Sequence, residues 1–287
     1  MTKVIDAQIL EGLEQGTIIP YLGPAVLGLE GSTSVPSAPE TLVEMITAKV
    51  TVPHKIRKNL TAAGQYIENF KHRKTLVSLL TDAFQGNPEP TRLHHFLANL
   101  PTPLPLIVDA WYDATMVAAL SKRSDFGQVQ GVSQSEHFGN WVHYFRADGS
   151  QAEPAEASQW STLLYKPLGS IAPARNFILS DSDYVEVLTE IDIQTPIPEV
   201  VQQLRVGRHF LFLGCRFRNQ LERTYARQIM KRSSDRHWAV LPEEPSRNEA
   251  RFLAEQGIER IDMPLADFVA QLLGSQTESY QTQVAVA

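Results

Sequence analysis

The sequence predicts an α/β fold, a mostly parallel sheet with helices on both faces. Short apolar runs recur along the chain between Gly and Pro residues, and amphipathic stretches at helical spacing separate them. The clearest run, His209-Phe210-Leu211-Phe212-Leu213, is apolar on both faces of a strand, as parallel strands buried between helix layers are. Strands alternating with helices imply right-handed crossovers that cover both sides of one sheet. With 287 residues, 43% hydrophobic and 20% charged, the chain is long enough for one large core with a small satellite.

Asp6 caps a first helix carrying Ile9, Leu10 and Leu13, which Gly16 ends. Thr17 to Leu22 follows as a strand, and Pro20, lacking a ladder donor, places it at an edge or a bulge. A turn at Gly23-Pro24-Ala25 opens a long loop rich in Gly, Ser and Pro up to Pro39, before a helix from Glu40 to Lys49. Between His54 and Phe84 the apolar spacing gives two or three packed helices, and Thr91 caps a short helix through Leu100. Leu106 to Val108 is a buried strand running into Asp109-Ala110-Trp111-Tyr112-Asp113, and the helix after it turns Met116, Val117 and Leu120 inward.

Residues 121–161 are polar and glycine-containing, with a hairpin near Trp141 to Arg146 and Asp148-Gly149. Together with a helical insertion at 54–100 they are expected to form a smaller lobe. Order returns at Leu163 to Lys166, Asn176 to Leu179 and a helix from Asp183 to Glu190. Asn219 and Glu222 have capping-box spacing for a helix to Lys231. Trp238 to Leu241, a helix from Asn248 to Gln256, a strand from Ile258 to Ile261 and a helix from Leu265 to Leu273 close a single domain over 1–273, and 274–287 is expected to be a disordered tail.

No run of eighteen apolar residues and no secretory signal is present, so the reading is cytoplasmic, without a membrane partner. A single cysteine, Cys215, excludes an internal disulfide and a Cys-x-x-Cys zinc ribbon, and no metal is expected. The formal charge of -6 argues against nucleic acid. Residues 205–236 are the exception, at about +7 by formal charge. They form either a solvated face or a surface for a phosphate, a protein partner or a second copy. An open α/β sheet binds ligands beyond the carboxyl ends of its strands, so the ends at Gly23, Asp113 and Gly214 matter most.

Several blocks, taken in order, carry a family resemblance: Leu22-Gly23-Pro24-Ala25 with Val35-Pro36, Pro90 to Leu97 with His94, Val108 to Asp113, Tyr165-Lys166-Pro167-Leu168-Gly169-Ser170, Ile178 to Tyr184, and Leu211 to Arg216. Over Thr17 to Leu273 the chain resembles the bacterial SIR2-like domain family. The resemblance implies a Rossmann-like fold with a small inserted lobe and a pocket for NAD or an ADP-ribose-containing ligand. It also implies, in active relatives, cleavage of the nicotinamide–ribose bond. Mapped onto this chain, the pocket would be lined by Gly23, Ala25, Asp113, Gly169, Ser170, Gly214 and Arg216.

The departures fall on the working positions. The family's Gly-Ala-Gly turn becomes Gly23-Pro24-Ala25, in which Pro24 removes an N–H donor. Its Thr-Asn-Tyr-Asp becomes Ala110-Trp111-Tyr112-Asp113, losing the asparagine. Its Lys-x-His-Gly becomes Lys166-Pro167-Leu168-Gly169, where Leu168 can move no proton. Its Gly-Tyr-Ser becomes Gly214-Cys215-Arg216, in which a guanidinium either pairs with a phosphate or fills the pocket. Trp111 either stacks on a ligand ring or fills a former pocket. Asp113 is a helix cap or a site residue. His94 and His95 are structural or a displaced base, and Cys215 is core. Three functions stay open: a catalytically degenerate protein with a nucleotide-type cleft acting by binding or assembly, an NAD glycohydrolase or ADP-ribose-processing enzyme using Asp113, His94 or His95, and a ligand-free interaction module. The chemistry lost at Trp111 and Leu168 leans against an enzyme, and a single cysteine, where the zinc lobe needs four, against a zinc-dependent deacetylase.

Overall fold

The computed structural model of the protein describes residues 7–133, 139–190 and 197–286. Asp6, the expected first cap, lies outside them. The strands are β1 (Ile18–Leu22), β2 (Leu106–Asp109), β3 (Phe126–Gly131), β4 (Val142–Arg146), β5 (Thr162–Lys166), β6 (Gly169–Ser170), β7 (Asn176–Phe177), β8 (His209–Leu213), β9 (His237–Val240) and β10 (Ile258–Ile261). The helices are α1 (Ala7–Glu14), α2 (Pro39–Lys49), α3 (Leu60–Lys71), α4 (Arg73–Phe84), α5 (Arg92–Ala98), α6 (Thr115–Leu120), α7 (Asp181–Glu190), α8 (Glu199–Leu204), α9 (Gln220–Met230), α10 (Arg247–Glu255) and α11 (Leu265–Val286).

Eight strands form one sheet in the order β10-β9-β8-β1-β2-β5-β3-β4, parallel throughout except for the antiparallel β3–β4 pair. β6 and β7 make a separate two-stranded hairpin. The period-two alternation of the strands divides the apolar residues between two cores. Ile19, Tyr21, Leu106, Val108, Leu163, Tyr165, Phe210 and Phe212 face a core shared with α2, α3, α4, α7, α9 and α10. Ile18, Leu22, Ile107, Leu164, Leu211 and Leu213 face the other, shared with α1, α5, α6 and α11. The result is a Rossmann-like α/β architecture. β1 lies between β2 and β8, with the chain continuing outward on both sides, so the carboxyl ends of β1 and β8 flank a topological switch point.

Four expectations are corrected. Pro20 sits in a central strand, not at an edge. The Gly23 N–H donates to Leu213 O at 2.8 Å and the His209 N–H to Thr17 O at 3.0 Å, so odd-numbered backbone groups turn toward β8 and Pro20 turns toward β2. Pairing with β2 begins only at Tyr21↔Val108, so the missing donor falls just ahead of that ladder. Residues 121–161 are not a separate lobe, because they contribute β3 and β4 to the end of the main sheet. The stretch 54–100 divides between the faces, with α3 and α4 on one core and α5 on the other. The last helix continues past Gly274 to Val286, through the segment expected to be disordered.

Local chemistry explains the elements that were read correctly. Asn219 Oδ1 accepts the Glu222 N–H at 2.8 Å and Glu222 Oε2 the Asn219 N–H at 3.3 Å, the reciprocal box that starts α9. Ser246 and Glu249 do the same for α10. At the C-terminal end of α9 the buried Arg205 donates from Nη1 to the Gln228 and Ile229 carbonyls, both at 2.8 Å, satisfying orphan acceptors.

Gly127 in β3 leaves room for an aromatic ring: a Cβ there would stand 2.3 Å from two ring carbons of Trp160. Gly127→Ala is expected to lower stability by about 1–3 kcal/mol through this overpacking, measured by urea denaturation.

Candidate functional site

A cavity of ≈ 710 Å³ opens beyond the carboxyl ends of β1, β2, β8 and β9, at the switch point. Its volume lies within the range of small-molecule sites. The residues after β1 (Gly23, Pro24, Ala25) and after β8 (Gly214 to Asn219) form one side, and Ala110, Trp111, Tyr112 and Leu168 another. The starts of α2 and α3 stand opposite, with Pro39, Glu40, Lys58 and Asn59. Of the anticipated site residues, Gly23, Ala25, Trp111, Leu168, Gly214 and Arg216 therefore meet at one cavity. Asp113, His94, Gly169 and Ser170 are not in its lining.

The glycine turn has no donor left for a pyrophosphate. The Gly23 N–H is committed to Leu213 O, the Ala25 N–H donates to Gly214 O at 3.2 Å, the Val26 N–H donates to Gly23 O at 3.3 Å, and Pro24 has none. The two glycines serve instead to bring two turns together. A Cβ on Gly23 would stand 2.5 Å from the Gly214 carbonyl oxygen, and one on Gly214, at φ 69°, would stand 2.7 Å from Val26 N. The turn that the resemblance assigns to the pyrophosphate thus offers it no free amide donor.

Trp111 is fixed in the wall. Its indole N–H donates to the Pro36 carbonyl at 2.8 Å, and its ring meets Phe84 edge-on at 5.8 Å and Tyr112 at 5.0 Å. The Tyr112 hydroxyl donates to Ile178 O at 2.8 Å. Leu168 is buried beside them and its carbonyl accepts the Ile178 N–H. The Cys215 thiol is buried and held protonated, its pKa pushed up by burial, which agrees with a core role.

The sequence reading missed the charged group beneath this wall. Lys166 is wholly buried; its Nζ donates to Asp109 Oδ2 at 2.7 Å and to the Asp113 carbonyl at 2.8 Å. Ser170 Oγ lies 3.3 Å from the same carbonyl, and the Ile171 N–H donates to Tyr112 O at 2.8 Å. By strand alternation Asp109 and Lys166 turn to the face opposite Val108 and Tyr165, away from the cavity. Burial raises the Asp109 carboxyl to about 7, more than Lys166 lowers it. Burial also acts to raise Asp113, but Lys166, the hydrogen bonds of Thr115 and the neighbouring His94 outweigh it and hold that carboxyl low.

Asp113 accepts the Thr115 N–H at 2.8 Å, the helix-start role weighed for it. His94 is equally occupied: its Nδ1 accepts the Thr91 N–H at 3.2 Å and lies 2.8 Å from Thr91 Oγ1, closing the cap of α5. Burial takes its pKa down to about 4, against the pull of Asp113, so it is neutral near pH 7. A charged residue ending each of two apolar strands, Asp109 after Leu106-Ile107-Val108 and Lys166 after Leu163-Leu164-Tyr165, was the available signal.

Arg216 is held by its own chain, at 2.6 Å from Glu243 and 3.2 Å from Glu249. Arg218 bridges the cavity mouth, 2.9 Å from Glu40 at the start of α2 and 3.0 Å from Glu243. Elsewhere in 205–236, Arg208 donates to Gly16 O, Arg223 to the Phe217 and Arg218 carbonyls, Arg227 pairs with Glu255 and Arg236 with Glu259. The basic run is largely consumed by internal contacts. Among the described residues no group of three or more His, Cys, Asp or Glu is placed to hold a metal ion, and no helix is long and apolar enough to cross a membrane.

A family model described as SIR2-like domain matches residues 105–261, from the start of β2 through β10. The match includes Trp111, Leu168 and Gly214 and begins after Gly23 and His94. No curated protein matches the chain.

The buried pair has a testable sign. A carboxyl whose folded pKa is raised, as that of Asp109 is from 3.8 to about 7, lowers stability as pH climbs through that window. Lys166→Met removes the compensating charge and is expected to cost about 3–5 kcal/mol at pH 8. The loss should be smaller at pH 5, where the carboxyl is protonated. Denaturant melts of both proteins at the two pH values read this difference directly.

Proposed function

The chain belongs to the SIR2-like domain family, and from that premise we propose a catalytically degenerate protein that keeps a nucleotide-type cleft, for NAD, ADP-ribose or a part of them, and works by binding. The observation that carries this reading is the wall at Trp111 and Leu168. At the position the resemblance assigns to an asparagine, an indole is locked onto the Pro36 carbonyl, and at the position of the base stands a leucine. Neither side chain can position or activate a water. Both nevertheless border an open cavity of ≈ 710 Å³, which argues for a retained ligand rather than a filled remnant.

The enzyme reading loses support at its named groups. Asp113 and His94 are buried on hydrogen bonds of their own, outside the cavity lining. A general base must reach the proton it takes, directly or through one water. The interaction-module reading loses most of its electrostatic motive, because most arginines of 205–236 have partners within the chain.

Purified protein at high concentration, incubated with NAD, is expected to release nicotinamide no faster than a protein-free control. Release that scales with protein concentration overturns the proposal. In the same preparation Trp111→Ala is expected to lose about 3–5 kcal/mol of stability, since the indole is a packed wall of the core; calorimetric unfolding measures it.

A further inference from the structure

Resting on the ligand-cleft reading above, we propose that the cleft takes a phosphate-free nucleoside in preference to its 5′-phosphates, with Tyr21, Tyr184 and Glu222 as contact groups.

The first part of the argument is electrostatic. Four helices, α2, α3, α7 and α9, begin at the cavity wall, where Pro39, Leu60, Asp181 and Asn219 line it. Helix N-termini attract anions, so an unmodified cleft of this shape would favour phosphate. Three of these starts carry a carboxylate of the chain itself: Glu40 in α2, Asp181 in α7 and Glu222 in α9, all in the lining. The α7 start is further saturated, because Asp183 Oδ2 accepts the Leu179 and Ser180 N–H groups and Gln65 Oε1 accepts that of Ser182. Of the lining cations, Arg216 and Arg218 are each paired with two carboxylates. Lys58, beside the α3 start, is exposed at the rim, where a solvated ammonium contributes little. With the amides of the β1 turn committed as well, the features that recognise a phosphate are answered by groups of the chain everywhere but at the α3 start. A diphosphate would also meet Glu40, Asp181 and Glu243 as like charges.

The second part concerns what remains available. Tyr21 and Tyr184, both more than nine-tenths buried, line the cavity, and their hydroxyls have no hydrogen-bond partner among the described residues. Glu222 lies close enough to raise the pKa of both, after the larger effect of burial. One of its oxygens accepts the Asn219 N–H, and burial raises its own carboxyl to about 7. Two hydroxyls and a carboxyl in the lining of an aromatic-walled cavity match a ribose diol or a base amine, and Trp111, Tyr112 and Tyr225 line it as well, as rings for a heterocycle.

Calorimetric titration of the full chain separates the possibilities, using adenosine and nicotinamide riboside against their 5′-monophosphates, with ADP-ribose and NAD as the larger probes. The expected result is binding of at least one nucleoside about tenfold or more tighter than its 5′-phosphate. Glu222→Gln, which keeps the cap acceptor, and Tyr184→Phe are each expected to weaken that nucleoside severalfold with the fold intact by circular dichroism. Equal or tighter binding of the phosphorylated probes overturns the inference and leaves the ligand cleft standing. Nucleoside binding unchanged in both variants overturns the contact assignment, and no binding by any probe removes the cleft reading with it.

Discussion

The buried pair of Lys166 and Asp109 is the constraint on which the site depends. β2 and β5 are neighbours, and the pair sits where both strands end, so one ammonium ties the end of β5 to the end of β2 and to the Asp113 carbonyl beyond it. The segment from Ala110 to Ala114 is irregular backbone inside the protein, and its carbonyls need donors. Lys166, Ser170 and the Ile171 N–H supply them from one side, while the Ala110 N–H donates to Leu22 O on the other. Trp111 and Tyr112, which line the cavity, are carried on this hydrogen-bonded backbone. The cost is two charges taken out of water, which good geometry and added hydrogen bonds offset only in part.

Much of the fold was legible because it rests on local signals. The apolar runs at Leu106 to Val108 and His209 to Leu213 gave the central strands, and Asn219 with Glu222 gave the start of α9 from spacing alone. Of the strand ends at Gly23, Asp113 and Gly214 read as ligand-facing, Gly23 and Gly214 line the cavity, their turns in close approach. What escaped was set by topology. Lys166 and Asp109 are far apart in sequence and meet only because β5 lies beside β2. Pro20 is tolerated in a central strand because of the stagger between β1 and β2, which no local pattern encodes. Residues 121–161 read as polar, yet Gln128 and Gln130 are buried in β3 with their amides on the Ala172 and Ala174 carbonyls.

The candidate site was half legible for a related reason. Residues contributed by the turns after β1, β2 and β8 converge, as the doubly wound arrangement requires. Asp113 and His94 belonged to the same sequence blocks, but side-chain direction, not sequence position, decides which face of the sheet a residue serves. The basic run misled in a different way. Formal charge counts guanidinium groups, whereas a surface is defined by those left without partners, and here carbonyls and carboxylates of the chain have taken most of them.

The link from Arg218 to Glu40 joins the loop after β8 to the first turn of α2 across the mouth of the cleft, and both side chains are about half exposed. Such a clasp is held by screened Coulomb attraction and loses strength as ions accumulate around it. Rising ionic strength therefore loosens the tie between the loop after β8 and α2, while the buried packing of Trp111 and Tyr112 is not screened in this way.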